Sequence, residues 1–212
     1  MKKNIIIFFC LLAYNVISQN NIGELLNESE KSNIVLTIKN NSASLKSLEC
    51  SFTQEKTSTL INETTVLKGF MFYKNPAKLR WEYSEPEKFA LIINNNKTVL
   101  KNGKNEIVKS DKMLKYLGNF IINAINSNCF SNTKNFNAEY YKKDKENLVI
   151  VKMIPVSKQL KQMFSNIIIE LDNKTFLANK IIMNEVSGDN TTVIMINKKI
   201  NSQIADSKFI TD

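Results

Sequence analysis

Over most of its length the chain alternates short β-rich runs with turn signals, and two segments break that rhythm. From Glu49 onward apolar and β-branched stretches are separated by Leu60 to Glu63, Asn75-Pro76-Ala77, Glu85-Pro86-Glu87, Asn94-Asn95-Asn96 and Lys101-Asn102-Gly103-Lys104, the punctuation of an antiparallel meander. Further strands are predicted near Asn137 to Lys143, Leu148 to Ile154, Asn166 to Asp172, Phe176 to Asn184 and Thr191 to Lys198. Their hairpin signals are Asp144 to Asn147, Asp172-Asn173-Lys174 and Ser187-Gly188-Asp189-Asn190. The first break is Ser32 to Leu48, where Ile34, Val35, Ile38, Leu45 and Leu48 partly suit a helix, although the β-branched start leaves a strand as competitor. In the second, Asp111 to Ile125, Met113, Leu117, Phe120 and Ala124 recur at helical spacing behind a candidate Asp111 cap, and Leu114, Ile121 and Ile125 widen the stripe. The sum is about eleven strands and two helical segments in one domain. An antiparallel sheet of that size must curl or be covered.

Side-chain alternation shows what the strands present. In Leu79-Arg80-Trp81-Glu82-Tyr83 the large apolar groups share one face while Lys78, Arg80 and Glu82 share the other. The preceding strand is apolar on both sides, with Met71 and Tyr73 opposite Phe70 and Phe72, and Leu91-Ile92-Ile93, Ile167-Ile168-Ile169 and Val193 to Ile196 do not alternate at all. Some strands must therefore be covered twice. A filled barrel core satisfies this pattern, and so does a curved sheet with an apolar concave cavity under a helical lid over Met113 to Ala124.

Composition narrows the chemistry. The 212 residues include no histidine, which removes Ser-His-Asp and Cys-His nucleophile pairs, His-bearing zinc sites and imidazole proton shuttles. The five glycines are few against an average near 7% and lie too far apart for a dinucleotide or phosphate-binding glycine loop. Scattered acids such as Glu82, Glu85 and Glu87 could pair, but Glu85 and Glu87 flank a turn proline and read as solvated, so no catalysis, cofactor or metal is expected. The formal charge is +9, yet Arg80 is the sole arginine and the lysines are scattered. That is a solvating coat, not the arginine-fork pattern of a nucleic-acid reader.

Met1 to Ser18 has the form of a secretory signal, with Lys2 and Lys3 ahead of an apolar run from Ile5 to about Ala13 and small residues before Gln19. The run is far short of the ~20 residues that span a membrane, and Cys10 lies inside it without the small residues that precede a lipoprotein cysteine. Cleavage after Ser18 removes Lys2 and Lys3, lowering the charge by two to +7, and leaves Cys50 and Cys129 in a compartment that permits disulfides. The two cysteines are either one bridge or two buried thiols.

One set of segments is specific. Ser51-Phe52-Thr53-Gln54-Glu55-Lys56, then Lys68-Gly69-Phe70-Met71-Phe72-Tyr73-Lys74-Asn75-Pro76-Ala77-Lys78-Leu79-Arg80-Trp81-Glu82-Tyr83, then Pro86, resembles in order and spacing the amino-terminal half of the LolA family, periplasmic carriers of outer-membrane lipoproteins. The hairpin from Phe164 to Met195 is similar to the family's carboxy-terminal half, and the resemblance is weakest from Asn105 to Lys143. It implies a mainly β fold with a few helices: an open antiparallel half-barrel of eleven strands whose apolar concave cavity is covered by helices. It also implies a periplasmic, monomeric chaperone with no bond chemistry. Such a carrier takes acylated lipoproteins from an inner-membrane lipoprotein-releasing ABC transporter, shields their acyl chains, and hands them to the outer membrane or an acceptor there. Its lipid-facing residues would be Met71, Tyr73, Leu79, Trp81 and Tyr83 on the sheet and Met113, Leu117 and Phe120 on the lid. By pattern alone each is equally an ordinary core position.

The sequence departs from the family in two places. Many members carry an arginine immediately before the turn proline, where it latches the lid; here Asn75 stands in that position, able to donate a hydrogen bond but without charge assistance. The chain ends soon after Phe209, leaving little room for the extra terminal strand of some members. The alternatives on the same fold are a periplasmic lipid-binding sensor or regulator, which would be expected to carry a second domain, and a carrier of another lipid.

Overall fold

A computed structural model of the chain describes residues 22–108, 112–131 and 134–212. The signal sequence expected over residues 1–18, and the Asp111 cap, lie outside the described residues. Among those described, twelve strands form one antiparallel sheet: β1 (Glu24–Leu25), β2 (Ser47–Ser58), β3 (Glu63–Lys74), β4 (Lys78–Glu85), β5 (Phe89–Asn94), β6 (Lys97–Asn102), β7 (Ile107–Val108), β8 (Phe136–Lys143), β9 (Leu148–Pro155), β10 (Phe164–Asp172), β11 (Ala178–Glu185) and β12 (Asn190–Ile200). Their order across the sheet is β1-β8-β9-β10-β11-β12-β2-β3-β4-β5-β6-β7, so the edges β1 and β7 do not meet and the barrel stays open. Two meanders, β2 to β7 and β8 to β12, join where β12 pairs with β2. Eight of the turns that divide the strands are those the sequence predicts, while the link from β9 to β10 carries no turn signal, and the two-residue edge strand β1, without periodic signal, raises the expected strand number of about eleven to twelve.

Helix α1 (Glu28–Ser44) begins four residues before the predicted Ser32 because of a local cap. Asn27 Oδ1 accepts from the Ser29 and Glu30 amides (both 3.0 Å), and the Glu30 carboxylate accepts from the Asn27 amide (2.9 Å), a reciprocal capping box. The helix stops at Leu45, and Leu48, expected to be helical, belongs to β2. Helix α2 (Lys112–Ile125) and the short α3 (Asn128–Ser131) cover the concave face, and α4 (Lys158–Lys161) is one turn between β9 and β10. α2 lies close on β4 and β5 because Gly118 has no side chain. A Cβ there would stand 2.6 Å from Leu91 Cδ2 and 2.9 Å from Ile93 Cδ1.

The concave face holds the main core, including Met71, Tyr73, Leu79, Trp81, Leu91, Val151, Ile167 and Ile181. On the convex face the second cover required by the apolar β3 and β5 is the carboxy-terminal tail. It forms no strand after β12 but crosses the back of the sheet in a 3-10 turn at Asp206–Phe209. Phe209 is fully buried, clusters with Phe72 and Ile204, and its carbonyl accepts from the Asn94 side chain (3.1 Å). Lys208 lies 4.3 Å over the Phe72 ring, and Asp206 bridges Lys74 and Lys78 (2.9 Å each). Ile92 and Val99 are buried on this side as well. Phe70, Ile194 and Ile196 have no such cover and remain exposed.

Candidate functional site

The site lies at one end of the concave face, where α1 and α2 close over the sheet. Parity puts Leu48 and Met71 of β2 and β3, Ile169 and Leu171 of β10, Ile181 of β11 and Met195 of β12 on the inner face. Ile38 of α1 and Leu45 just after it, Ile121, Ala124 and Ile125 of α2, and Phe130 of α3 face them, with Phe176 and Leu177 from the β10–β11 turn at the side. Together they line a cavity of about 220 Å³, room for on the order of seven waters but below the roughly 300 Å³ at which ligand pockets begin. Among the described residues, polar side chains reach its lining only from Asn41, Ser42, Ser44 and Thr175, at the α1 side. A second hollow of about 250 Å³ on the far side of α2 is more polar, with Tyr116, Asn119, Asn123, Asn135 and Gln159 in its wall.

Two hydrogen-bonded contacts hold the helices over the cavity. At the end of α2, Asn126 accepts from the buried Tyr73 hydroxyl and donates to the Pro76 carbonyl (2.8 Å). Burial pushes the Tyr73 hydroxyl up to about 12, so it stays a neutral donor. At the end of α1, Asn75 donates to the Leu45 carbonyl (2.9 Å), one of the carbonyls a helix end leaves open. The residue in the latch position therefore ties α1 to the β3–β4 turn, while α2 is tied to the same turn by Asn126.

The structure distributes the residues expected to face lipid. Met71 is in the cavity wall. Tyr73, Leu79, Trp81 and Tyr83 are buried to 2% exposure or less on the same face but farther along the sheet: Leu79 under Gly118, Trp81 stacked on Phe52 at 3.9 Å, and Tyr83 donating to Gln54 Oε1 at 2.8 Å. The Trp81 indole N–H meets no acceptor in hydrogen-bond geometry. Phe120 turns to the second hollow, edge-on to Phe136. The side chains of Met113 and Leu117 lie outside the described part of the structure. Most of the cavity wall comes instead from α1 and from β10 to β12, which the sequence signals least as a site because their inward residues are spread over about 160 positions.

Cys50 and Cys129 are both buried free thiols, and burial pushes each up to about 12, so neither is a thiolate near neutral pH. Among the described residues no group of three or more Cys, Asp and Glu is placed to hold a metal ion. No described helix is long and apolar enough to cross a membrane.

The sequence profile of the family described as outer membrane lipoprotein carrier protein LolA matches residues 43–212. The chain belongs to the LolA family. No curated protein sequence matches it. Among solved structures it is similar to MucB (TM-score 0.52, 10% identity, 88% of this chain and 64% of that one). It is also similar to a DUF1329 family protein from Desulfovibrio piger (TM-score 0.50, 8% identity, 86% and 97%) and to a LolA superfamily protein from Nitrosomonas europaea (TM-score 0.48, 9% identity, 84% and 97%). At such identities the first two show a common fold, an open LolA-like half-barrel.

Proposed function

We propose that this chain is a periplasmic carrier of acylated lipoproteins: after removal of residues 1–18 it binds acyl chains released from the inner membrane, by way of an ABC transporter, and takes them to the outer membrane without making or breaking a bond. The observation that carries this reading is the apolar cavity under α1 and α2 on the concave face of the sheet. Each methylene buried there is worth about 0.8 kcal/mol, so a chain of about sixteen carbons fully buried gains about 12 kcal/mol. The resting void is too small for that chain, and loading must displace the two helices, breaking the Asn126 and Asn75 contacts and separating apolar surface. That cost offsets part of the gain and lets the cargo leave again.

Native mass spectrometry of the mature protein, co-expressed with a triacylated lipoprotein, tests the function. A one-to-one complex is expected. Its absence under gentle conditions, with the protein folded, contradicts a lipoprotein carrier, and a co-purifying lipid of another kind points to a different cargo on the same fold.

A further inference from the structure

Between Ile196, paired with Ser51, and Lys199, paired with Glu49, strand β12 sets two residues opposite the single Cys50, a β-bulge. Asn197 takes a left-handed conformation (φ 55°), and its amide donates to the Ser51 hydroxyl on the convex side (3.2 Å). Lys198 is thereby turned to the concave side. Its ammonium donates to Asn179 Oδ1, and its field reaches the buried Cys50 side chain. Met195 and Ile200, before and after it on β12, and Ala178, beside Asn179, all line the apolar cavity. Bulges commonly re-aim one side chain toward a site, and the one re-aimed here is a cation.

Lys198 forms no ion pair among the described residues, whereas eleven other acid–base pairs are formed. Asp172 is the carboxylate whose field reaches it, but the two form no ion pair, and one oxygen of that group, Oδ1, is engaged by its own turn. It accepts from the Thr175 amide (2.7 Å), the Thr175 hydroxyl (2.9 Å) and the Lys174 amide (3.1 Å). Desolvation holds the Lys198 ammonium below the usual lysine range, with Asp172 opposing that shift. A partly desolvated cation whose hydrogen-bond partner is a neutral amide is destabilising, and an anionic oxygen beside it would relieve that cost through charge-assisted hydrogen bonds.

We propose that Lys198 is an anion anchor at the margin of the cavity, and that the site accepts amphiphiles whose alkyl chain is joined to an anionic head, a carboxylate or a phosphate, an inference that rests on the acyl-chain binding proposed above. The alkyl chain enters among Ile38, Leu48, Met71 and Ile181 while the head meets Lys198 and the Asn179 amide.

Isothermal titration of the mature chain with dodecanoate and dodecyl phosphate, each below its critical micelle concentration, and with uncharged methyl dodecanoate below its solubility limit, tests this. The wild type should bind at least one of the two anions about tenfold more tightly than the ester, the scale of one charge-assisted hydrogen bond. Which anion shows the preference distinguishes a carboxylate source from a phosphate source. Lys198→Met, which keeps the apolar stem and removes a desolvated charge, should lose the preference, and Lys198→Arg should retain it. Equal binding of all three ligands by the wild type, or a preference that survives in a folded Lys198→Met variant, overturns the anchor while leaving acyl binding intact. Failure of the ester and both anions to bind overturns the anchor and acyl binding together.

Discussion

At the residue scale, the strand Leu79 to Tyr83 separates packing from binding. Its strict alternation is legible in the sequence, and the inward face is where the alternation places it. Alternation alone does not say whether an inward residue meets a ligand or another side chain. Trp81 is fully buried and stacked on Phe52, so Trp81→Glu places an unpaired carboxylate in the core and should cost more than about 3 kcal/mol; loss of the cooperative thermal transition is expected, and a folded variant that merely fails to bind cargo would be against this placement. Tyr83→Phe leaves Gln54 Oε1 without its donor in a buried position, which should lower stability by about 1–3 kcal/mol in urea unfolding at unchanged m-value.

At the element scale, the two helices are fastened by different asparagines. Asn126→Ala removes the nearer acceptor of Tyr73, leaving it the Pro76 carbonyl at 3.4 Å, and the donor to Pro76. With roughly 1 kcal/mol per net hydrogen bond, about 2 kcal/mol for the two, amide exchange in α2 should accelerate about thirtyfold, with α1 unaffected. Asn75→Ala should do the reverse, loosening the end of α1 through Leu45; hydrogen exchange read peptide by peptide separates the two, and equal acceleration of both helices by either variant would refute separate fastenings. The sequence identified α2 from its apolar stripe, and only partly identified α1, because the signal for its start is the polar pair Asn27 and Glu30 outside the apolar pattern. Asn126 carries no such signal, since its partners Tyr73 and Pro76 are some fifty positions away.

At the scale of the whole molecule, the half-barrel has two coverings, helices inside and the tail outside. Apolar residues on both faces of β3 and β5 show that a second cover is required, but the tail's role rests on Phe209 and Ile204, two residues without periodicity. Phe209→Ala should cost about 3–5 kcal/mol as a fully buried aromatic, a fall of about 10 °C in Tm. Because this cover lies on the convex face, cargo binding at a temperature where the variant is folded should be unchanged. The cavity itself is the least legible feature, for its wall is assembled from α1, α2, β2, β3 and β10 to β12, and each contributes one to three apolar residues that look like core. The central claim, that acyl chains enter this cavity, is tested most directly by loading the protein with a lipoprotein whose acyl chains carry a diazirine, irradiating, and mapping the adducts by peptide mass spectrometry. Labels are predicted on peptides holding Leu45 to Leu48, Ile121 to Ile125 and Phe176 to Ile181. Labels confined to the polar hollow around Asn119 and Gln159, or to the exposed Leu60 and Ile61 of the β2–β3 turn, would contradict it.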